Sequence, residues 1–195
     1  RGAPVTAEVA PHHLFLARAS EADAAEDPLQ RMNPPLRGAG DVESLWSHLE
    51  VFDAIASDHA PHTLEEKAGP NPPSGVPGLE SSLPLLLTAV HAGRLTLAEL
   101  VRLTSAGPAA AFGLRAKGRL APGYDADITL VDPDVEWTFG ERPLRTRCGW
   151  SPFQGWRVRG RVERVYLRGQ LACAGGAIVL EPGAGRRVEN QPAPQ

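Results

Sequence analysis

The sequence predicts an α/β segment followed by an all-β one. Three observations carry that expectation. Up to Gly113, short apolar runs alternate with loops and with stretches whose apolar residues recur at helical spacing. From Gly118 to about Leu180 the texture changes to short β-rich runs, mostly separated by Gly or Pro. Gly (20) and Pro (19) together make a fifth of the 195 residues without a collagen-like period, so loops are abundant and are the expected carriers of function.

The first element is a short strand over Val5–Val9, followed by Ala10-Pro11-His12-His13 and a continuing apolar run, Leu14 to Leu16. Residues 20–31 are acidic and Ala-rich, a loop or short helix, and Met32–Arg37 cannot be helical because Pro34 and Pro35 remove two donors. Asp41 reads as the cap of an amphipathic helix over 42–50, with Val42, Leu45, Trp46 and Leu49 on one face. Val51–Ser57 is a short apolar strand ending at Asp58-His59-Ala60-Pro61-His62, and a Gly/Pro-rich loop spans Ala68–Gly78. Ser82–Ala92 is a buried helix with Pro84 in its first turn. Thr96 caps a helix to Thr104, and 108–112 continues helically. The β runs are 127–131, 135–138, 156–158, 161–167 and 177–180, a sheet or sandwich, and 181–195 reads as a frayed tail.

Composition excludes several classes. With 42% hydrophobic residues the chain can bury a core, and its length suits one domain or one plus a smaller one. A net charge of −3 makes no electrostatic case for nucleic acid or an anionic membrane as partner. Cys148 and Cys173 show no CxxC spacing, so neither a disulfide scaffold nor a cysteine-built zinc finger organises the fold; both read as free thiols. No apolar run approaches the ~20 residues of a membrane span. The chain starts at Arg1 and its single methionine is Met32, which suggests a fragment or processed chain.

Asp58 is the strongest chemical signal. A carboxylate leaving a buried strand is desolvated, so it favours a metal or a shared proton and can serve as a general base. The competing reading makes Asp58 a loop cap, with His59 and His62 on the surface. Of His12 and His13, at most one can enter a site, because adjacent side chains point apart on an extended chain. Asn33, held by a rigid Pro-Pro turn, offers donor and acceptor to a planar amide, or is simply a turn residue. The run from Ser74-Gly75 to Glu80 lets backbone approach a ligand closely, or is an ordinary loop before a helix. His48 and His91, in predicted helices, read as structural or exposed. Trp137, Trp150 and Trp156 read as packing residues, and the Arg run 157–168 as one face of a strand.

Several strings together resemble dihydroorotase, of the metal-dependent amidohydrolase superfamily: TAEVAPHHLFL, MNPPLR, ASDHAPHTLEEK and GVPGLESSLPLLLTAV, in that order. GRLAPGYDADITLVD (118–132) resembles the return into that superfamily's small β-domain, and CGWSPFQGWRVRGRVERVYLRG (148–169) its C-terminal region. The resemblance implies the C-terminal part of a (β/α)8 TIM barrel over 1–117 and a small β-sandwich-like domain over 118–180, with 181–195 as tail. It implies that Asp58 binds metal and acts as general base and acid. It places His62 on a substrate carboxylate, Asn33 at a substrate contact, and Ser74 and Gly75 at backbone contacts to a pyrimidine ring. Glu8 matches an acidic position near an additional metal, and His12 and His13 match a string not assigned to metal.

The implied activity is reversible hydrolysis of dihydroorotate to carbamoyl aspartate in pyrimidine synthesis, with two Zn2+ per site, in the cytoplasm. The implied partners are the small-molecule substrate and either a second copy or aspartate transcarbamoylase. The alternatives are an allantoinase- or hydantoinase-type cyclic amidase, and a non-catalytic dihydroorotase-like subunit. The departure is large. The His-x-His of the first strand, the bridging lysine and two further metal histidines are absent. A barrel needs about 250 residues, so most of it would lie upstream. The chain alone is expected to be inactive, and poorly soluble through its open barrel edge.

Overall fold

The computed structural model describes residues 5–18 and 27–188. The acidic stretch before Asp27 lies largely outside them, as does the end of the predicted tail. Strand β1 (Glu8–Val9) pairs in parallel with β2 (Ala54–Ile55), in register Glu8 to Ala54 and Val9 to Ile55. Both are shorter than the sequence suggests. Pro11 sits in the first turn of helix α1 (Pro11–Phe15), so the apolar run after β1 coils instead of extending. Leu49–Val51 forms a 3-10 turn that takes the first residue of the expected second strand.

Helix α2 (Ala39–Ser47) starts three residues before the predicted helix. Gly38 is its cap, and Asp41 reaches back from the third helical position to accept the Gly38 N–H at 3.2 Å. Trp46 anchors α2 by donating from its indole to the Leu14 carbonyl at 2.6 Å. Helix α3 (Leu64–Ala68) lies in a stretch that the apolar pattern leaves unassigned. Its cause is a capping box: Thr63 Oγ1 accepts the Glu66 N–H, and Glu66 accepts the Thr63 N–H.

Helix α4 (Leu79–His91) runs three residues further back than predicted, so Pro84 falls inside it and not in its first turn. Thr96 caps α5 (Leu97–Val101) through a second capping box with Glu99. The helix then passes through a π turn, Arg102–Ala106, into α6 (Gly107–Ala111). Arg102 in that turn donates to the carbonyls of Phe52 (2.8 Å) and Leu49 (3.1 Å), tying the helix to the chain entering β2. A Cβ on Gly107 would stand 1.9 Å from the Asp53 oxygen, so only glycine permits this approach.

The β region is a four-stranded antiparallel meander of β3 (Ile128–Thr138), β4 (Arg157–Leu167), β5 (Gln170–Ala174) and β6 (Ala177–Ile178). The two predicted runs on either side of Pro133 are one strand, interrupted between Asp132 and Glu136 where proline cannot join the ladder. Arg157, Arg159 and Arg161 each pair with an acidic residue, Glu136, Asp134 or Glu141 among them. These three arginines thus lie along β4 as charge-paired residues.

Two apolar clusters meet at α4. One gathers Val9, Leu14, Trp46, Ile55, Leu86, Leu100 and Leu103. The other gathers Leu16, Met32, Leu36, Val76 and Leu85 with Phe139, Trp150, Phe153 and Val158. The second therefore draws on both parts of the chain. Gly160 closes the joint, since a Cβ there would lie 2.7 Å from Leu87. Among the described residues no helix is long and apolar enough to cross a membrane.

Candidate functional site

Strand β2 delivers the chain to Asp58, which takes a left-handed conformation with φ 44°. Asp is one of the few non-glycine residues that tolerates this region. The turn aims the half-exposed carboxylate at α1: Asp58 Oδ2 lies 3.5 Å from His12 Nε2. His12 is 2% exposed, and its Nε2 makes no hydrogen bond. Burial, then the neighbouring His13, pushes the His12 imidazole down to about 4, while Asp58 pulls the other way. His13 donates from Nε2 to the Pro34 carbonyl at 2.8 Å. The expected extended chain, on which the two rings would point apart, is instead helix α1, and the ring centroids lie 4.3 Å from each other, with His12 facing Asp58 and His13 tying down the Asn33-Pro34-Pro35 turn.

Beyond Asp58 the chain folds against the Gly/Pro-rich loop. Ala60 donates its N–H to the Val76 carbonyl at 3.1 Å, and His59 and Val76 form a parallel bridge. Gly75 has φ +127°, and a Cβ there would lie 2.5 Å from that of Ala60. His59 Nδ1 accepts the Gly78 N–H at 3.0 Å, so this histidine holds the start of α4 and is no idle surface residue. His62 donates from Nε2 to the Ser74 carbonyl at 3.2 Å and faces Glu66 at 3.8 Å. From the β region, the Trp150 indole donates to the His62 carbonyl at 2.7 Å.

The sequence-predicted residues thus fall into two contacts. Asp58 meets His12, and His62, before α3, bonds to the Ser74-Gly75 loop after it. Asn33 is exposed in the turn held by His13, two residues after Arg31, whose carbonyl accepts the Gly75 N–H at 2.9 Å. Glu8 is exposed on β1. Sequence reasoning missed Lys67, which is fully buried and donates to the carbonyls of Arg31 (2.9 Å) and Pro73 (3.0 Å). Its one signal was its place at the end of a helix whose Thr63–Glu66 capping box was legible. Beside this loop His59, Glu80, Ser81, Thr146, Trp150 and Ser151 line a shallow cleft that Asp58 does not enter.

A catalytic zinc takes about three protein ligands. Asp58 offers a carboxylate and His12 an unpartnered nitrogen. Among the described residues no three of His, Cys, Asp and Glu gather to hold a metal ion. The residues of this chain do not by themselves fit a complete metal centre.

Comparison with known proteins identifies the family. The model of the amidohydrolase family matches residues 36–172. The dihydroorotase of Pyrococcus furiosus is 44% identical over 183 residues, which cover 93% of this chain and 42% of that enzyme. Among solved structures, a D-hydantoinase from Thermus sp. superposes with a TM-score of 0.84 at 30% identity, over 96% of this chain and 43% of that one. The inactive dihydroorotase-like domain of a Chaetomium thermophilum CAD-like multifunctional protein gives 0.62 at 27% identity, over 91% of this chain and 45% of that one. The chain thus spans less than half the length of these relatives, and its fold is part of that of the TIM-barrel amidohydrolases. With the family model matched across both the helical part and the β-meander, the chain belongs to the amidohydrolase family.

Proposed function

We propose that this chain is the C-terminal part of a dihydroorotase, which hydrolyses the cyclic amide of dihydroorotate reversibly to N-carbamoyl-aspartate in pyrimidine biosynthesis. The observation that carries the reading is the geometry just beyond β2, where Asp58 faces the buried His12 at 3.5 Å and, four residues on, His62 donates to the Ser74 carbonyl. The 44% identity to the Pyrococcus furiosus enzyme supports it. Asp58 takes a proton from the attacking water and passes it to the ring nitrogen as the C–N bond breaks. His62 faces the substrate carboxylate, Asn33 contacts the substrate, and the backbone at Ser74 and Gly75 reads the planar ring. Two Zn2+ per site belong to the same proposal. Asp58 is this chain's contribution to them, and the remaining ligands come from the rest of the polypeptide. We place the barrel part at 1–117 and the β-domain at 118–180, and the enzyme in the cytoplasm, acting as a homo-oligomer or with aspartate transcarbamoylase.

In the full polypeptide, Asp58→Asn is expected to lower turnover of dihydroorotate by about 10²–10⁴-fold with the fold retained. Near-normal turnover would sink the reading. A hydantoinase-type amidase is the second reading, favoured by the TM-score of 0.84 to the Thermus enzyme. Turnover of dihydroorotate and a hydantoin side by side separates the two. A third reading, a non-catalytic subunit, draws on the inactive Chaetomium domain. Zinc content of the purified full polypeptide tests it.

A further inference from the structure

Lysine is rarely buried without a reason, because its ammonium loses hydration that protein groups must replace. Lys67 is 0% exposed, at the end of a five-residue helix. Among the described residues no carboxylate bonds to it, although the charge of Asp27 favours its ammonium form. Its Nζ instead donates to two backbone carbonyls from different segments, Arg31 at 2.9 Å and Pro73 at 3.0 Å. Each carbonyl stands next to a proposed substrate contact. Arg31 lies two residues before Asn33, and Pro73 immediately precedes Ser74 and Gly75. The Arg31 carbonyl also accepts the Gly75 N–H at 2.9 Å, so one oxygen joins the two segments both directly and through the ammonium.

The 69–78 loop has little regular structure of its own to hold its shape. Gly75 needs a left-handed backbone and Ala60 packs where a Cβ would be, so the loop is placed by contacts from outside it. An apolar side chain at 67 would fill the same space, leave the Pro73 carbonyl without this donor and leave the Arg31 carbonyl with the Gly75 N–H alone.

We propose that Lys67 is a positioning residue that fixes the distance between the Asn33 turn and the Ser74–Gly75 backbone, and so sets substrate affinity and not the rate of bond breaking. This rests on the dihydroorotase reading. In the full polypeptide, Lys67→Met is expected to raise KM for dihydroorotate about tenfold with kcat within about threefold of the parent. Hydrogen exchange should quicken about tenfold in peptides covering 72–76 and stay unchanged in peptides covering 83–88 of α4. Lys67→Gln, which keeps two donors on a shorter stem, should fall between parent and Lys67→Met in both readouts, and it carries the test if Lys67→Met does not fold.

An unchanged KM with kcat lowered in proportion to the folded fraction would overturn the proposal, as would uniform quickening of exchange. If the parent polypeptide does not turn over dihydroorotate, the dihydroorotase reading fails by itself. The exchange pattern then still decides whether Lys67 holds the two segments together.

Discussion

At position 58 the backbone and the side chain place opposite demands on the residue. The left-handed φ of 44° favours glycine, while the proposed chemistry needs a carboxylate. Asp58→Gly should therefore keep or raise stability, whereas Asp58→Ala should be less stable than Asp58→Gly by about 1 kcal/mol. Both should abolish turnover. Denaturant unfolding of the two variants in the full polypeptide measures the difference, and equal stabilities would argue that the turn relaxes. The carboxylate itself was legible, since an apolar run ending in Asp-His-Ala-Pro-His marks a strand end. Its neighbour was not. His12 follows β1 by three residues, and only the coiling of α1 turns its ring toward Asp58. Lys67 was hidden for a similar reason: a lysine in Thr-Leu-Glu-Glu-Lys reads as a solvated helix face until Arg31 and Pro73 close over it.

Among the elements, a local chemical cue marks some starts. Thr96 at the start of α5 is an example, because a capping box is settled within four residues. The capping box of α3, however, is not visible in the apolar pattern, and Asp41 caps α2 from its third position. Strand lengths were read worst. β1 and β2 have two residues each, and their apolar flanks coil into α1 and a 3-10 turn, which no run of Val and Leu discloses. The link from α6 into β3 depends on charge. Lys117 sits between Asp125 (2.7 Å) and Asp127, and Asp127 also accepts the Arg168 N–H at 2.7 Å. Burial pushes the Asp127 carboxyl up, but Lys117 and that N–H outweigh it and hold the group below its ordinary 3.8. A depressed carboxyl contributes stability above its unfolded value, and that contribution is lost as pH falls through 3.8 and below. Asp127→Asn should cost roughly 1 kcal/mol at neutral pH, and the difference from parent should shrink as pH drops below that range. Urea midpoints between neutral pH and pH 3 would show it. A gap independent of pH would point to packing instead.

For the molecule as a whole, the sequence reading of a helical part followed by a β part was sound in order, but the extent of their contact was not visible. The segments that meet in the second cluster are far apart along the chain, and no local pattern records a long-range contact. Leu16, Met32, Leu36, Val76 and Leu85 find their neighbours in Phe139, Trp150, Phe153 and Val158. Residues 1–117 alone should therefore show no cooperative thermal transition and should bind a hydrophobic dye, with the cost of losing Phe153 alone about 3–5 kcal/mol. A sharp melt from that piece would mean that the helical part has a sufficient core without the meander. The same contact has a consequence for synthesis. Chains emerge from the ribosome N-terminus first, so Asp58 and the loop to Gly78 leave the exit tunnel well before Trp150 and Val158. Until those arrive, the His62 carbonyl has no indole donor and Val76 lacks part of its apolar contact. The site nearest the middle of the chain is thus among the last to be completed, and in the interval its apolar underside is the surface that a chaperone would find.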